Sequence, residues 1–453
     1  LKSAVLREDA VGQFTGLIGV CVMILLAFVL STNRSKVPWK LVAIGVLVQI
    51  LVAGAILWVP GIKDAFEILG RIVNRIIQMS DAGTDFVFGS ALRDPSKPWG
   101  FIFAVKVLPI IIFFSALMSV LYYVGLMQKV VAVLAWCLRK TLRVTGAEAT
   151  CMAANMFIGQ TEAPLTIRPL IPRLTRAQLM LVMLGGFAHI AGSVFGAYVM
   201  MLGGDDDASR AMFAKHLIAA SVMSAPAAFV MARIIVPEIE TPPPEDPTSL
   251  RTATEEDHAN VFDAAASGAT TGMKLAANIA AMLIAFVSLL ALVNLGLGTL
   301  FEKLHMLDWL RANGIPDPSL QAFLGKLFAP LAWTMGIEWK DAPLIGSLLG
   351  EKLILTEFVA YLHLSEAIRA VPGMNEQGEI VARISPRSAQ IAAYALCGFA
   401  NFASIAIQIG GLSVLAPSRR REFAQLALRA MLGGALATQM VASVAGLFIP
   451  ISQ

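Results

Sequence analysis

Long apolar runs, each near the length of a membrane crossing, alternate with short polar breaks along the chain. A crossing takes about 20 apolar residues. Eight stretches qualify: 11–31, 39–60, 100–126, 177–202, 212–236, 266–296, 385–416 and 422–449. Other stretches keep a helical period but carry charge on one side. In 64–80, Phe66, Leu69, Ile72, Val73, Ile76 and Ile77 share one face, and Arg71 and Arg75 lie on another. That is the pattern of a helix lying in the membrane interface. The same reading covers 127–143 and extends to 297–312. Two further regions, 145–175 and 317–366, are apolar yet broken by Pro and polar residues. Irregular backbone survives at membrane depth only where protein or a wet cavity covers it. Both regions are therefore read as re-entrant helical hairpins, and the whole pattern predicts an all-α polytopic membrane protein.

Charge sets the orientation. Arg34, Lys36 and Lys40 follow the first span; Lys129, Arg139, Lys140 and Arg143 follow the third. Arg168, Arg173 and Arg176 precede the fourth, and Arg419, Arg420 and Arg421 precede the last. The loop after the fourth span is acidic instead, with Asp205, Asp206 and Asp207. Any one basic cluster reads as a solvated loop. Their agreement under the positive-inside rule places both termini outside. The Pro-rich acidic stretch 237–258 reads as a flexible cytoplasmic linker. The chain then divides into five parts. An N-terminal set of spans and interfacial helices (1–143) precedes a hairpin with two spans (144–236). The linker (237–260), a span with an interfacial helix (261–316) and a second hairpin with two spans (317–453) complete it.

Composition agrees: 57% of the 453 residues are hydrophobic, 15% are charged, and the mean hydropathy is +0.72. Soluble domains carry about 25% charged residues. The net charge of +4 says little about partners, and no nucleic-acid partner is expected. The four cysteines are scattered and read as small buried residues, and the five histidines lack metal-ligand spacing. No GxxxxGK[ST] phosphate loop is present. Neither a metalloenzyme nor an ATP-driven pump is expected. The first apolar run is long and is followed by Arg34 and Lys36, as in a retained span rather than a cleaved signal. Leu1 in place of Met suggests a trimmed start.

The chemistry lies in an internal repeat. The first hairpin contains QTEAPLTI and the second LTEFVAYL, so Thr161-Glu162 matches Thr356-Glu357. The spans that follow contain GGFAHIAGS and CGFANFAS, so Gly186-Phe187-Ala188 matches Gly398-Phe399-Ala400. By the orientation above, the two hairpins open from opposite sides. Inverted repeats of this kind place a transported solute near the midplane. A carboxylate there costs about 3 kcal/mol on insertion scales. Glu162 and Glu357 are tolerable if a polar ligand, water or a cation satisfies them. Bonding to hairpin backbone is the structural reading that competes. Asn401 and Ser404 favour a broken seventh span lining a polar cavity, although small residues there also suit helix packing.

At these residues the sequence resembles the concentrative nucleoside transporter family, over nearly the whole chain. The resemblance is carried by STNR, VLPIIIFFSALMSVLYYVGLMQ, GQTEAPL, TEFVAYL and CGFANFASIAIQIGGLSVLAPSRRR. It implies a homotrimeric, cation-coupled nucleoside importer in a bacterial inner membrane. Each protomer would combine a fixed scaffold with a mobile transport unit built from the two repeats. It also implies roles. Gln160, Thr161 and Glu162 would read the nucleobase, Val194 would pack on it, and Leu275 would add apolar contact. Glu357, Asn401 and Ser404 would hold the ribose, and Phe399 would line the sugar pocket. Asn155, Ile158, His189 and Ile190 match the family's sodium site, the isoleucines through backbone carbonyls. Position 189 departs from the family, which usually has a small hydroxyl residue there. Sodium prefers oxygen ligands, as calcium and magnesium do, whereas imidazole titrates near pH 6.5. Three readings stay open. His189 points away and sodium is kept, or His189 carries a coupling proton in place of sodium, or the change weakens coupling.

Overall fold

The computed structural model describes residues 2–93, 102–242, 258–313, 315, 317–370, 373–374, 380–381 and 384–450. The first part holds α1 (Lys2–Val29), α2 (Trp39–Trp58), α3 (Ile62–Phe88), α4 (Phe103–Lys106), α5 (Leu108–Tyr123) and α6 (Leu126–Leu142). Next come α7 (Gly146–Asn155), α8 (Arg176–Ala188), α9 (Gly192–Gly203) and α10 (Asp207–Ile235). α11 (Val261–Lys303) and α12 (Leu307–Ala312) lead to α13 (Leu320–Thr334), α14 (Ala342–Ile354) and α15 (Glu357–Arg369). The last three are α16 (Pro386–Leu396), α17 (Phe402–Leu415) and α18 (Arg420–Phe448). The described strands are a two-residue antiparallel pair, Gly373–Met374 with Ile380–Val381, so the fold is all-helical in substance.

Among the described residues, six segments suit a crossing by length and composition: Trp39–Trp58, Phe103–Tyr123, Arg176–Gly203, Asp207–Ile235, Val261–Lys303 and Pro417–Phe448. The other two expected spans contain the shorter apolar helices Phe14–Val29 and Phe402–Leu415. Burial sorts them. The most apolar stretch of α10 is 89% buried and that of α11 only 17%, so α10 is central and α11 peripheral. α11 meets α5 through small residues. A Cβ added at Gly268 or Gly272 would lie 2.7 Å from the side chain of Ser119 or Ser115, so only Gly lets the backbones approach this closely.

Two local expectations change and one is refined. The interfacial helix read over 297–312 is not separate, because its first part continues α11 to Lys303. Nothing in LGTLFEK stops a helix. The turn comes later, where His305 takes a φ of 53°, and α12 follows. The first hairpin region has one α-helix, α7, and returns through 3₁₀ turns at Ala163–Ile167 and Ile171–Arg173. Pro164, Pro169 and Pro172 remove the N–H groups that a second α-helix would need. The run 385–416 is broken at 397–401, in keeping with Asn401 and Ser404, and 177–202 is likewise two helices, broken at 189–191.

One buried network ties the base of the first hairpin to its surroundings. Thr145 caps α7 and Thr175 caps α8, each in a capping box with Glu148 or Gln178. Gln178 Nε2 donates to Thr145 Oγ1 at 3.1 Å. Glu148 Oε2 accepts from the Thr145 N–H and hydroxyl, and its Oε1 accepts from Arg233 Nη2 of α10 at 2.6 Å.

Candidate functional site

The two breaks lie against each other. The Phe399 N–H donates to the His189 carbonyl at 3.3 Å. At Gly398 φ is +156°, and an added Cβ would sit 2.7 Å from the Phe187 oxygen. Gly398→Ala is therefore expected to force the breaks apart at a cost of about 1–3 kcal/mol. The check is a thermal melt of the purified variant beside wild type. A wild-type melt would show that the contact is loose.

Beside the breaks is a cavity of about 340 Å³. The first hairpin tip supplies Phe157 to Glu162, and the starts of α9, α15 and α17 supply most of the remaining polar wall. α5 and α11 face them with small hydroxyl and apolar side chains such as Ser119 and Leu275. All nine residues expected to contact the solute line this one cavity: Gln160, Thr161, Glu162, Val194, Leu275, Glu357, Phe399, Asn401 and Ser404.

The two carboxylates differ in how they are held. Glu357 is 5% exposed. Its Oε1 accepts from the Tyr198 hydroxyl at 2.8 Å and its Oε2 from Asn401 Nδ2 at 3.0 Å. Asn401 is itself fixed as the cap of α17, its Oδ1 accepting from the Ser404 N–H at 2.8 Å. Side chains from α9 and α17 thus hold Glu357 together with its own backbone N–H at the start of α15. The Glu162 carboxylate folds over Gly159, is exposed in the cavity, and has no hydrogen-bond donor among the described residues. Gln160 is 7% exposed, and its Oε1 also has no partner among the described residues. One side of the cavity is therefore preset, and the other offers open acceptors.

The ends left by the second break are covered from α14 and α15. Lys352 Nζ donates to the Ala395 carbonyl at 2.8 Å and to Thr438 Oγ1 at 2.9 Å, and the Tyr361 hydroxyl donates to the Ala393 carbonyl at 2.8 Å. Lys352, Tyr361 and Tyr198 were not singled out by sequence. For Tyr198 a signal existed, since it follows Val194 by four residues on the same helical face.

Of the cation candidates, Ile158 lines the cavity, whereas Asn155, His189 and Ile190 are buried. His189 Nδ1 is 2.8 Å from the Gly185 carbonyl. A carbonyl only accepts, so Nδ1 carries the hydrogen and the neutral ring's Nε2 is an acceptor. Neither Nε2 nor Asn155 Oδ1 has a partner among the described residues, and both side chains lie against Gly185. Among the described residues no cluster of His, Cys, Asp and Glu suits a transition metal. An orphaned amide oxygen beside a chain break, where carbonyls are free of helix bonding, does suit a hard monovalent cation.

A largely apolar cavity with a few converging polar side chains between two broken helices, inside an all-helical bundle with spanning helices, fits the solute site of a membrane transporter. Comparison with known proteins agrees. The family model "Na+ dependent nucleoside transporter C-terminus" matches residues 216–446, its N-terminal counterpart 18–91, and "Nucleoside recognition" 104–205. An "Uncharacterized transporter" of Haemophilus influenzae is 42% identical over 442 residues, covering 96% of this chain and 97% of the relative. "Sodium/nucleoside cotransporter 1" of Rattus norvegicus is 40% identical, covering 97% of this chain but 64% of the longer rat protein. CNTnw in an inward-facing substrate-bound state superposes with a TM-score of 0.83 at 39% identity, over 96% of this chain and 97% of that one. A doubly substituted CNTnw in an outward-facing state gives 0.84 at 38% identity, with the same coverage. The chain belongs to the Na+-dependent, concentrative nucleoside transporter family.

Proposed function

We propose that the protein imports nucleosides across the bacterial inner membrane by sodium symport, with both termini outside. The observation that carries this is the single cavity on which Glu162 and Glu357 converge from two hairpins, with Glu357 already oriented. Glu357, Asn401 and Ser404 bind the ribose hydroxyls. Gln160, Thr161 and Glu162 present an amide, a hydroxyl and a carboxylate to the base edge, directly or through water. Val194, Leu275 and Phe399 supply apolar contact. Residues 144–236 and 317–453 form the moving unit and the α5–α11 pair belongs to the scaffold, in an elevator-like cycle of a homotrimer embedded in lipid. Asn155 Oδ1 with the carbonyls of Ile158 and Ile190 would hold sodium, while His189 keeps its ring on Gly185. The cation and the solute then share one hairpin tip, so each favours the conformation that the other binds.

A second reading has its own observation. His189 Nε2 is a buried acceptor without a partner among the described residues, and protonation would turn it into a donor. In that case a proton, not sodium, is the coupling ion. Uridine uptake into vesicles of purified protein separates the two. Accumulation under a sodium gradient alone is the expected result. Accumulation under a proton gradient alone, lost in His189→Ser, would establish the second reading. Equilibration without accumulation under either gradient would indicate a channel and overturn both.

A further inference from the structure

Tyr198 is more than filler in the α9 packing. It is fully buried. Its ring lies 4.6 Å from that of Tyr361 and 5.2 Å from that of Phe358, both on α15, so the phenol is clamped. A phenylalanine would fill that space equally well. Among the described residues the hydroxyl makes one hydrogen bond, the 2.8 Å bond to Glu357 Oε1. Glu357 therefore receives one donor from α9 in the first repeat and one from α17 in the second.

α9 also begins at the first break. Its Gly192 N–H donates to the Phe157 carbonyl of the first hairpin tip at 2.8 Å, next to Ile158. From Gly192 to Tyr198 the helix runs only about 9 Å. A helix this short moves as a rod, so a shift at 189–191 is delivered to the phenol and on to the carboxylate.

Resting on the nucleoside reading, we propose that Tyr198 is a positioning residue. It sets the Glu357 carboxylate for the ribose and links that setting to the cation bound at the α8–α9 break. Asn401 holds the other carboxylate oxygen, so without Tyr198 the group loses one of its two side-chain anchors and can turn about the other. Ribose affinity falls, and the remaining affinity no longer depends on the cation.

The test is uridine binding to purified Tyr198→Phe, in sodium and in choline, at about pH 5.5 and about pH 7.5, so that either cation is covered. Wild type is expected to bind about fivefold or more tightly with its cation. In Tyr198→Phe, affinity with the cation should drop about tenfold and the with-to-without ratio should approach one. The preference for uridine over 3′-deoxyuridine should shrink in parallel. Tyr361→Phe is the control. Its hydroxyl serves the Ala393 carbonyl instead, so the cation ratio should persist. A uniform loss in Tyr198→Phe with the ratio intact would mean packing alone and overturn the proposal, as would wild-type behaviour. No uridine binding by wild type would instead sink the nucleoside reading itself. Should Tyr198→Phe fail to fold, 3-fluorotyrosine at position 198 keeps the ring and strengthens the donor. The ratio is then expected to exceed the wild-type value, and an unchanged ratio again overturns the proposal.

Discussion

Glu357→Gln is expected to reduce uridine uptake at least about a hundredfold while leaving a folded protein. Both carboxylate oxygens of Glu357 accept hydrogen bonds, from Tyr198 and from Asn401. Glutamine keeps one acceptor for Asn401 Nδ2 and turns an NH₂ group toward the Tyr198 hydroxyl, which must then accept instead of donate. Under the proposed ribose contact, one acceptor is lost and the other gives up its charge. Hydrogen bonds to charged groups are worth about 1.5–3 kcal/mol each. Two of them amount to roughly 3–6 kcal/mol, or about two to four powers of ten. Uptake into vesicles and a thermal melt, measured on the same preparation, check this. Near-wild-type uptake would mean that the ribose is held elsewhere. Glu162→Gln is expected to act differently. Its carboxylate has no donor among the described residues, so binding should weaken without any change in the melt.

The largest effect on stability is expected from Glu148→Ala. Glu148 is fully buried, and its partner Arg233 is 7% exposed. Removing the carboxylate leaves the buried Arg233 guanidinium only its looser 3.7 Å pair with Glu238, and frees the Thr145 N–H and hydroxyl. Breaking a buried pair from one side costs about 3–5 kcal/mol, whereas replacing both partners by apolar groups is often neutral. The single variant should therefore melt well below wild type or fail to accumulate. Glu148→Leu combined with Arg233→Met should recover most of the loss. A single variant that melts like wild type, or a double variant no better than the single, would show that the pair does not hold the hairpin.

The sequence disclosed the outline because membranes impose it. A run such as 39–60 has few other uses, and α2 duly spans Trp39–Trp58. The cavity wall was legible because Thr-Glu recurs in two hairpins, and carboxylates in apolar surroundings need a reason to be there. Some features left little trace. A tyrosine in an apolar helix looks like packing, so Tyr198 passed unnoticed until its hydroxyl was found on Glu357. A lysine within a hairpin looks like a surface residue, yet Lys352 is 3% exposed and covers a carbonyl of the broken helix. The end of α11 was misplaced because hydropathy falls before the helix stops. The return of the first hairpin through 3₁₀ turns depends on three prolines whose joint effect a helical pattern does not register.

Three α-helices, α9, α15 and α17, begin at the wall of the same cavity, at Gly192, Glu357 and Phe402. Each helix start carries roughly half a positive elementary charge from its aligned peptide dipoles. Part of what makes a carboxylate tolerable in this wall is therefore backbone, not side chain. This field comes with the fold, and substitutions along the lining leave it in place. The cavity can change which hydroxyls and ring edges it prefers while its affinity for electron-rich, uncharged solutes persists.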